Sequence, residues 1–143
     1  MTQYPVVLDV TASGNKIRVR ATTSIERAFE GSESLQAELR CIEIDYQATL
    51  AAVKASLASV GSGKARDPRV YWFAGKWLAE FIERAEGHGF YVVGKNKTPA
   101  KHLGMSASSV GKMMAFYHRY PDPFRIDISV SWAIYRDNKE SRK

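Results

Sequence analysis

Cysteine is nearly absent from this chain. Cys41 is the only one, which excludes an internal disulfide and a thiolate-based zinc site and agrees with a reducing compartment. Long apolar runs are missing too. None approaches the roughly 18 residues that span a bilayer, and the opening MTQYPVVLDV lacks the basic start and apolar core of a signal peptide. A membrane partner is therefore not expected, and the expected location is cytoplasmic. Catalytic signatures are equally scarce. His88, His102 and His118 show no metal-ligand spacing, no GxSxG nucleophile motif occurs, and the acids fall mostly where salt pairs on helix faces explain them. Tyr117-His118 reads as one core residue beside one surface residue. The expectation is a protein that is not an enzyme and needs no cofactor and no metal.

One further absence is local. From Gly87 to Pro121 there is no Asp or Glu, while Lys95, Lys97, Lys101, Lys112 and Arg119 all fall there. Between Ser24 and Leu50 the balance reverses, with Glu26, Glu30, Glu33, Glu38, Glu43 and Asp45 against Arg27 and Arg40. The net charge of +6 and pI near 9.5 favour an anionic partner, and the basic surface is concentrated in that one segment.

What is present suits a soluble domain with a real core: 143 residues, 45% hydrophobic and 25% charged. The expected fold class is α+β, mainly α, in a single domain over 1–143. Residues 1–23 read as a β-hairpin, since Tyr4 to Thr11 and Lys16 to Thr22 alternate apolar and polar residues around the turn chemistry of Ala12-Ser13-Gly14-Asn15. Such a hairpin needs helices, a further strand or a second copy to pack on. Lys16, Arg18 and Arg20 share one face of its second strand, either as the wet side of a half-buried sheet or as auxiliary phosphate contacts.

Residues 24–60 read as helical. Ser24 is a candidate cap, and after a break at Gly31-Ser32 a longer helix carries Leu35, Leu39, Ile42, Tyr46, Leu50, Val53 and Leu57 at intervals of three or four. That stripe suits burial against the next helix of this chain, with a dimer seam as the alternative. Residues 61–67 read as a linker. Gly61-Ser62-Gly63-Lys64 is a phosphate-loop fragment at most, because Ala58 stands where the motif needs glycine and Ala65 where it needs Ser or Thr. Asp67 and Pro68 then start a helix running to about Glu86. It carries Tyr71, Trp72, Phe73, Gly75, Trp77, Leu78, Phe81 and Ile82 and reads as the central core helix, with Gly75 permitting close helix approach. Phe90 to Val93 suits a short strand or extended connection. Lys95 and Lys97 form a basic tip after it.

Thr98 to Tyr120, TPAKHLGMSASSVGKMMAFYHRY, reads as helix, glycine turn and second helix. Thr98 is placed to cap a short helix with Pro99 at its first position and Leu103 at its end. Gly104 ends that helix by entering the left-handed region, and Ser106 is placed to cap the helix from Ala107. Ala100, Gly104 and Val110 hold the small, turn and buried positions, and Leu103, Met105 and Met113 complete an apolar seam. This stretch resembles the repressor-type helix-turn-helix superfamily. The resemblance covers about twenty residues and implies DNA binding. Ala107, Ser108, Lys112 and Ala115 would then face the major groove, while Val110, Met113 and Met114 point inward. Ser106, Ser108 and Ser109 would bond phosphates or bases, and Lys95, Lys97, Lys101 and Arg119 would bond phosphates.

After Pro121-Asp122-Pro123 the residues Ile126, Ile128, Val130, Trp132 and Ile134 alternate, which predicts a strand over Phe124 to Tyr135. A helix from Asp127 burying Ile128, Trp132 and Tyr135 competes with it, and 136–143 reads as a charged tail. The second half of the chain, with Tyr71-Trp72, Gly75, a Ser-rich helix ending Phe116-Tyr117, then Tyr120-Pro121 and Trp132 with Tyr135, is similar to the N-terminal domain of a family of bacterial predicted nucleases. In that family the nuclease is a separate C-terminal domain, for which this chain has no room, so the resemblance implies binding and not cleavage.

These readings converge on a double-stranded DNA-binding protein, expected as a homodimer. It would serve as a transcription regulator or as a DNA-recognition subunit in mobile-element biology or phage defence. The alternative is a protein–protein adaptor whose helix-turn-helix is structural.

Overall fold

The computed structural model describes residues 4–13, 16–23, 33–58 and 67–137. The hairpin forms: β1 (Tyr4–Ser13) and β2 (Lys16–Thr22) run antiparallel in a register that pairs Val7 with Thr22 and Ser13 with Lys16. A third strand, β3 (Phe90–Val92), lies parallel to β1 on its other side, with Tyr4 opposite Phe90 and Val6 opposite Val92. The sheet order is β2-β1-β3. Period-two alternation turns Val6, Leu8, Val19, Ala21, Phe90 and Val92 into the core and leaves Val7, Asp9, Arg18, Arg20 and Tyr91 outside. The outer edge of β2 is partly closed by the helix α1 (Glu33–Ala58), where Glu43 Oε2 accepts the N–H of Ala21 at 2.8 Å. That bond occupies a strand amide otherwise open to pairing with another chain.

The apolar stripe of α1 is spent within this chain. Leu39, Ile42, Tyr46 and Leu50 are buried against the sheet and against Phe81, Ile82 and Ala85 of α2 (Arg69–Gly87). On the outside of this contact Arg84 holds Asp45 through two bonds of 2.8 Å. The start of α2 is set by Asp67, whose Oδ1 accepts the N–H of Arg69 at 2.9 Å. Trp72, Ala74, Gly75, Leu78 and Ala79 are buried with Phe81 and Ile82, so α2 is the central helix, although Phe73 stays exposed.

Two helices follow β3: α3 (Lys97–Leu103) and α4 (Ala107–Arg119). A second core of Val53, Ala74, Leu78, Ala100, Val110 and Met113 joins them to α1 and α2. A third, of Trp72, Phe116, Ile126 and Tyr135, binds the C-terminal segment, a 3-10 turn at Pro123–Arg125 and a short helix α5 (Trp132–Arg136), onto the end of α4. The fold is α+β, mainly α. No described helix is long and apolar enough to cross a membrane.

The strand expected over Phe124 to Tyr135 does not form, and neither does a helix from Asp127. Backbone groups there are used locally. Ile126 N–H bonds to Pro123 O and Val130 N–H to Asp127 O, while the Asp127 carboxylate takes both the N–H and the hydroxyl of Ser129. Short polar side chains that bond nearby amides draw a chain away from a ladder. Ile126 and Tyr135 are buried, but Ile128 and Ile134 are exposed, so the alternation in sequence has no matching sheet. The cap proposed at Ser24, the turn at Gly14-Asn15, the Gly61-Ser62-Gly63-Lys64 stretch and the tail from 138 lie outside the described residues.

Candidate nucleic-acid interface

The turn between α3 and α4 is built as its residues dictate. Gly104 sits at φ 71°, ψ 35°, in the left-handed region, and its N–H and that of Met105 both bond back to Ala100 O. Ser106 is extended, and its Oγ accepts the N–H of Ser109 at 3.1 Å, capping α4. Only Gly104, Met105 and Ser106 separate the two helices.

The first helix differs from expectation at its start. It begins at Lys97, one residue before Thr98, and Thr98 caps nothing: its hydroxyl donates to Val93 O at 2.9 Å. The helical turn is initiated earlier, by Thr98 N–H bonding to Gly94 O at 2.8 Å, which draws Lys97 and Thr98 into the helix. Pro99 accordingly lies in the first turn, where its missing N–H is still harmless.

α4 is held from beneath. Val110, Met113 and Phe116 are buried, and Gly75 of α2 passes so close that a Cβ there would stand 2.0 Å from the carbonyl oxygen of Met113. At the far end, Trp72 Nε1 donates to Tyr120 O at 2.6 Å. The helix therefore cannot slide or tilt without breaking these contacts. Its outward face carries Ser108, Lys112, Ala115, His118 and Arg119, all exposed. Ala107 is less exposed than these. It is half-buried against the second core. Ser109 is also drawn in, accepting a hydrogen bond from Ser106 Oγ at 2.9 Å.

The basic residues divide into two sets. Lys97, Lys101 and Arg119 are exposed and have no ion pair among the described residues. Lys95 and Lys112 have carboxylate neighbours, Lys95 Nζ 3.6 Å from Glu86 and Lys112 Nζ 3.8 Å from Asp137. Both are exposed pairs of the kind worth at most about 1 kcal/mol. On one flank of α4, Gly111, Met114, Ala115 and His118 border a groove whose other wall, on α2, includes Glu83 and Glu86. The acid-free stretch of sequence is thus flanked in space by carboxylates, Glu83 and Glu86 along this groove and Asp137 at Lys112.

Two features were beyond sequence reasoning. Tyr46 Oη and His102 Nδ1 lie 2.8 Å apart, joining α1 to α3. Burial raises the Tyr46 phenol far above its ordinary value. Burial, with the neighbouring Lys101 charge, lowers that of His102, so the imidazole is held neutral. The partners are far apart in sequence and belong to different helices, so no local pattern announces them. The second feature is Phe124 with Arg125, both exposed just beyond α4. Among the described residues no group of three or more His, Cys, Asp or Glu is placed to hold a metal ion.

No protein-family model, curated protein or solved structure matches this chain. Its functional reading rests on the residues and the geometry alone.

Proposed function

We propose that the chain is a non-enzymatic protein that binds double-stranded DNA with α3 and α4 acting as a helix-turn-helix, α4 lying in the major groove. The observation that carries this is the pairing of a three-residue glycine turn with an α4 whose apolar side is committed to the core while Ser108, Lys112 and Arg119 are exposed on the other side. Lys97 and Lys101, one turn apart on α3, add cations with no competing carboxylate. Ser106, its hydroxyl shared with Ser109, positions the end of α4 and is not itself a reader. With Ala107 half-buried and offering only a methyl group, direct base contacts fall to Ser108 and Lys112, and phosphate contacts and duplex shape carry most of the affinity.

The chain would act as a homodimer placing two α4 helices about one helical turn apart, as a regulator or as the recognition subunit of a larger assembly. A fluorescence-anisotropy titration on random duplex at about 50 and 200 mM salt tests this, since affinity carried by phosphates falls steeply between those values. Lys101→Ala and Arg119→Ala should each weaken binding to all sequences and reduce the salt slope by about one. Lys112→Ala should change the preference among sequences. Absence of binding at the lower salt would refute the reading and favour a protein–protein adaptor.

A further inference from the structure

The segment that leaves α4 holds the most exposed large apolar side chain among the described residues: Phe124, 84% accessible, against 70% for Ile44 and 56% for Ile128. We propose that Phe124 is an apolar DNA contact, pressed onto the sugars and base edges of the duplex beside α4, with Arg119 and Arg125 on the flanking phosphates; this rests on the DNA-binding reading above.

The ring is exposed, but the backbone that carries it is held in place. Tyr120, before it, is tied by its carbonyl to Trp72 Nε1, and Ile126, after it, is buried with Trp72, Phe116 and Tyr135. Between these anchors the Asp122 carboxylate accepts the N–H of Phe124 at 2.9 Å, Arg125 N–H bonds to Asp122 O at 3.1 Å, and Ile126 N–H bonds to Pro123 O at 3.2 Å. A loop built this tightly fixes the backbone that carries the ring, so binding orders little main chain.

The surroundings select the occupant. Arg119 and Arg125 are exposed on either side of Phe124 in sequence and have no ion pair among the described residues. Two exposed acids lie nearby, each already engaged, Asp122 by Phe124 N–H and Asp127 by the N–H and hydroxyl of Ser129, so the arginines act as point contacts and not through a net positive field. Cations beside a rigid aromatic ring suit a polyanion that also offers flat apolar surface, which is what nucleic acid presents. Apolar side chains pressed into a groove are a recurrent way to add affinity that carries no charge.

That last property gives the test. Phe124→Ala should weaken binding to duplex DNA by about tenfold at low and at high salt alike, leaving the salt slope unchanged, while Arg125→Ala should lower the slope by about one. Phe124→Leu should retain part of the affinity. The melting temperature and sedimentation of Phe124→Ala should match the parent. If the parent binds DNA and Phe124→Ala binds as tightly, the Phe124 contact is wrong and the helix-turn-helix reading stands. If the parent binds no DNA at low salt, both fall. A lowered melting temperature or a changed oligomeric state in Phe124→Ala would assign the ring to the core or to a second copy, and would equally overturn the proposal.

Discussion

Gly75 and Gly111 look alike in the sequence, each a glycine inside a helix, and the structure gives them opposite meanings. At Gly75 an added Cβ would meet the Met113 carbonyl oxygen at 2.0 Å, and that atom is backbone that cannot swing away. At Gly111 it would meet only the side-chain amide of Asn96 at 3.0 Å, the movable end of an exposed residue. Gly75→Ala should therefore force α2 and α4 apart and cost about 3 kcal/mol or more. Gly111→Ala should be neutral or stabilise by up to about 1 kcal/mol, the helix-propensity gain. Urea denaturation of the two variants checks both values, and equal effects would contradict the packing described. The Tyr46–His102 contact makes a second residue-scale prediction. Because the folded chain lowers the basicity of His102 from an ordinary value of 6.5, the unfolded chain takes up a proton first as the pH falls. Stability is then complete above about pH 6.5 and declines as the pH drops through the lowered folded value. Melting temperatures measured from pH 8 to 5 should show this decline in the parent. A His102→Gln variant should melt lower at pH 8 and lose less between pH 6.5 and 5.

At the scale of elements, legibility followed the reach of the forces involved. Local chemistry was readable: Gly104 must be left-handed, Ser106 must cap, and the stripe from Leu39 to Val53 must be buried. A start signal that depends on what precedes it was less so. Thr98 has a capping residue's chemistry, but Gly94 begins the turn and Val93 O takes its hydroxyl. Ser106→Ala should accordingly cost about 1 kcal/mol, whereas Thr98→Ala should not shorten α3, a contrast that amide exchange across α3 and α4 resolves. The C-terminal segment was misread for a related reason. Its alternating apolar residues resemble a strand, yet Ile126 and Tyr135 are claimed by an aromatic cluster drawn from α2 and α4, and Asp127 spends its carboxylate on Ser129. Long-range partners decided that element, and no pattern within it could reveal them. The candidate interface divided in the same way. Ser108, Lys112 and Arg119 follow from helical spacing, but the partial burial of Ala107 depends on a core assembled from α1, α2, α3 and α4.

For the molecule as a whole, the charge is arranged in sides. Lys97 and Lys101 stand on α3 and Arg119 at the end of α4, while Glu83 and Glu86 on α2 line a groove with Gly111, Met114, Ala115 and His118 of α4. A duplex lying on the proposed face meets these cations directly, with Asp137 beside Lys112 and Glu83 and Glu86 along the border at Ala115 and His118. Contacts with phosphate release counterions and act at touching distance, whereas a carboxylate across the groove acts through solvent, over a Debye length of about 8 Å near physiological salt. Charge reversals of equal size should then have unequal effects. Lys101→Glu should weaken DNA binding by about tenfold or more at low salt and reduce the salt slope. Glu83→Lys should strengthen it only slightly, an effect that fades as salt rises beyond about 0.2 M because no phosphate contact is created. Anisotropy titrations of both variants over a range of salt distinguish a docking face from a general attraction between a basic protein and DNA. Equal and opposite changes from the two substitutions would mean that net charge alone governs binding, and that α3 and α4 do not define where the duplex lies.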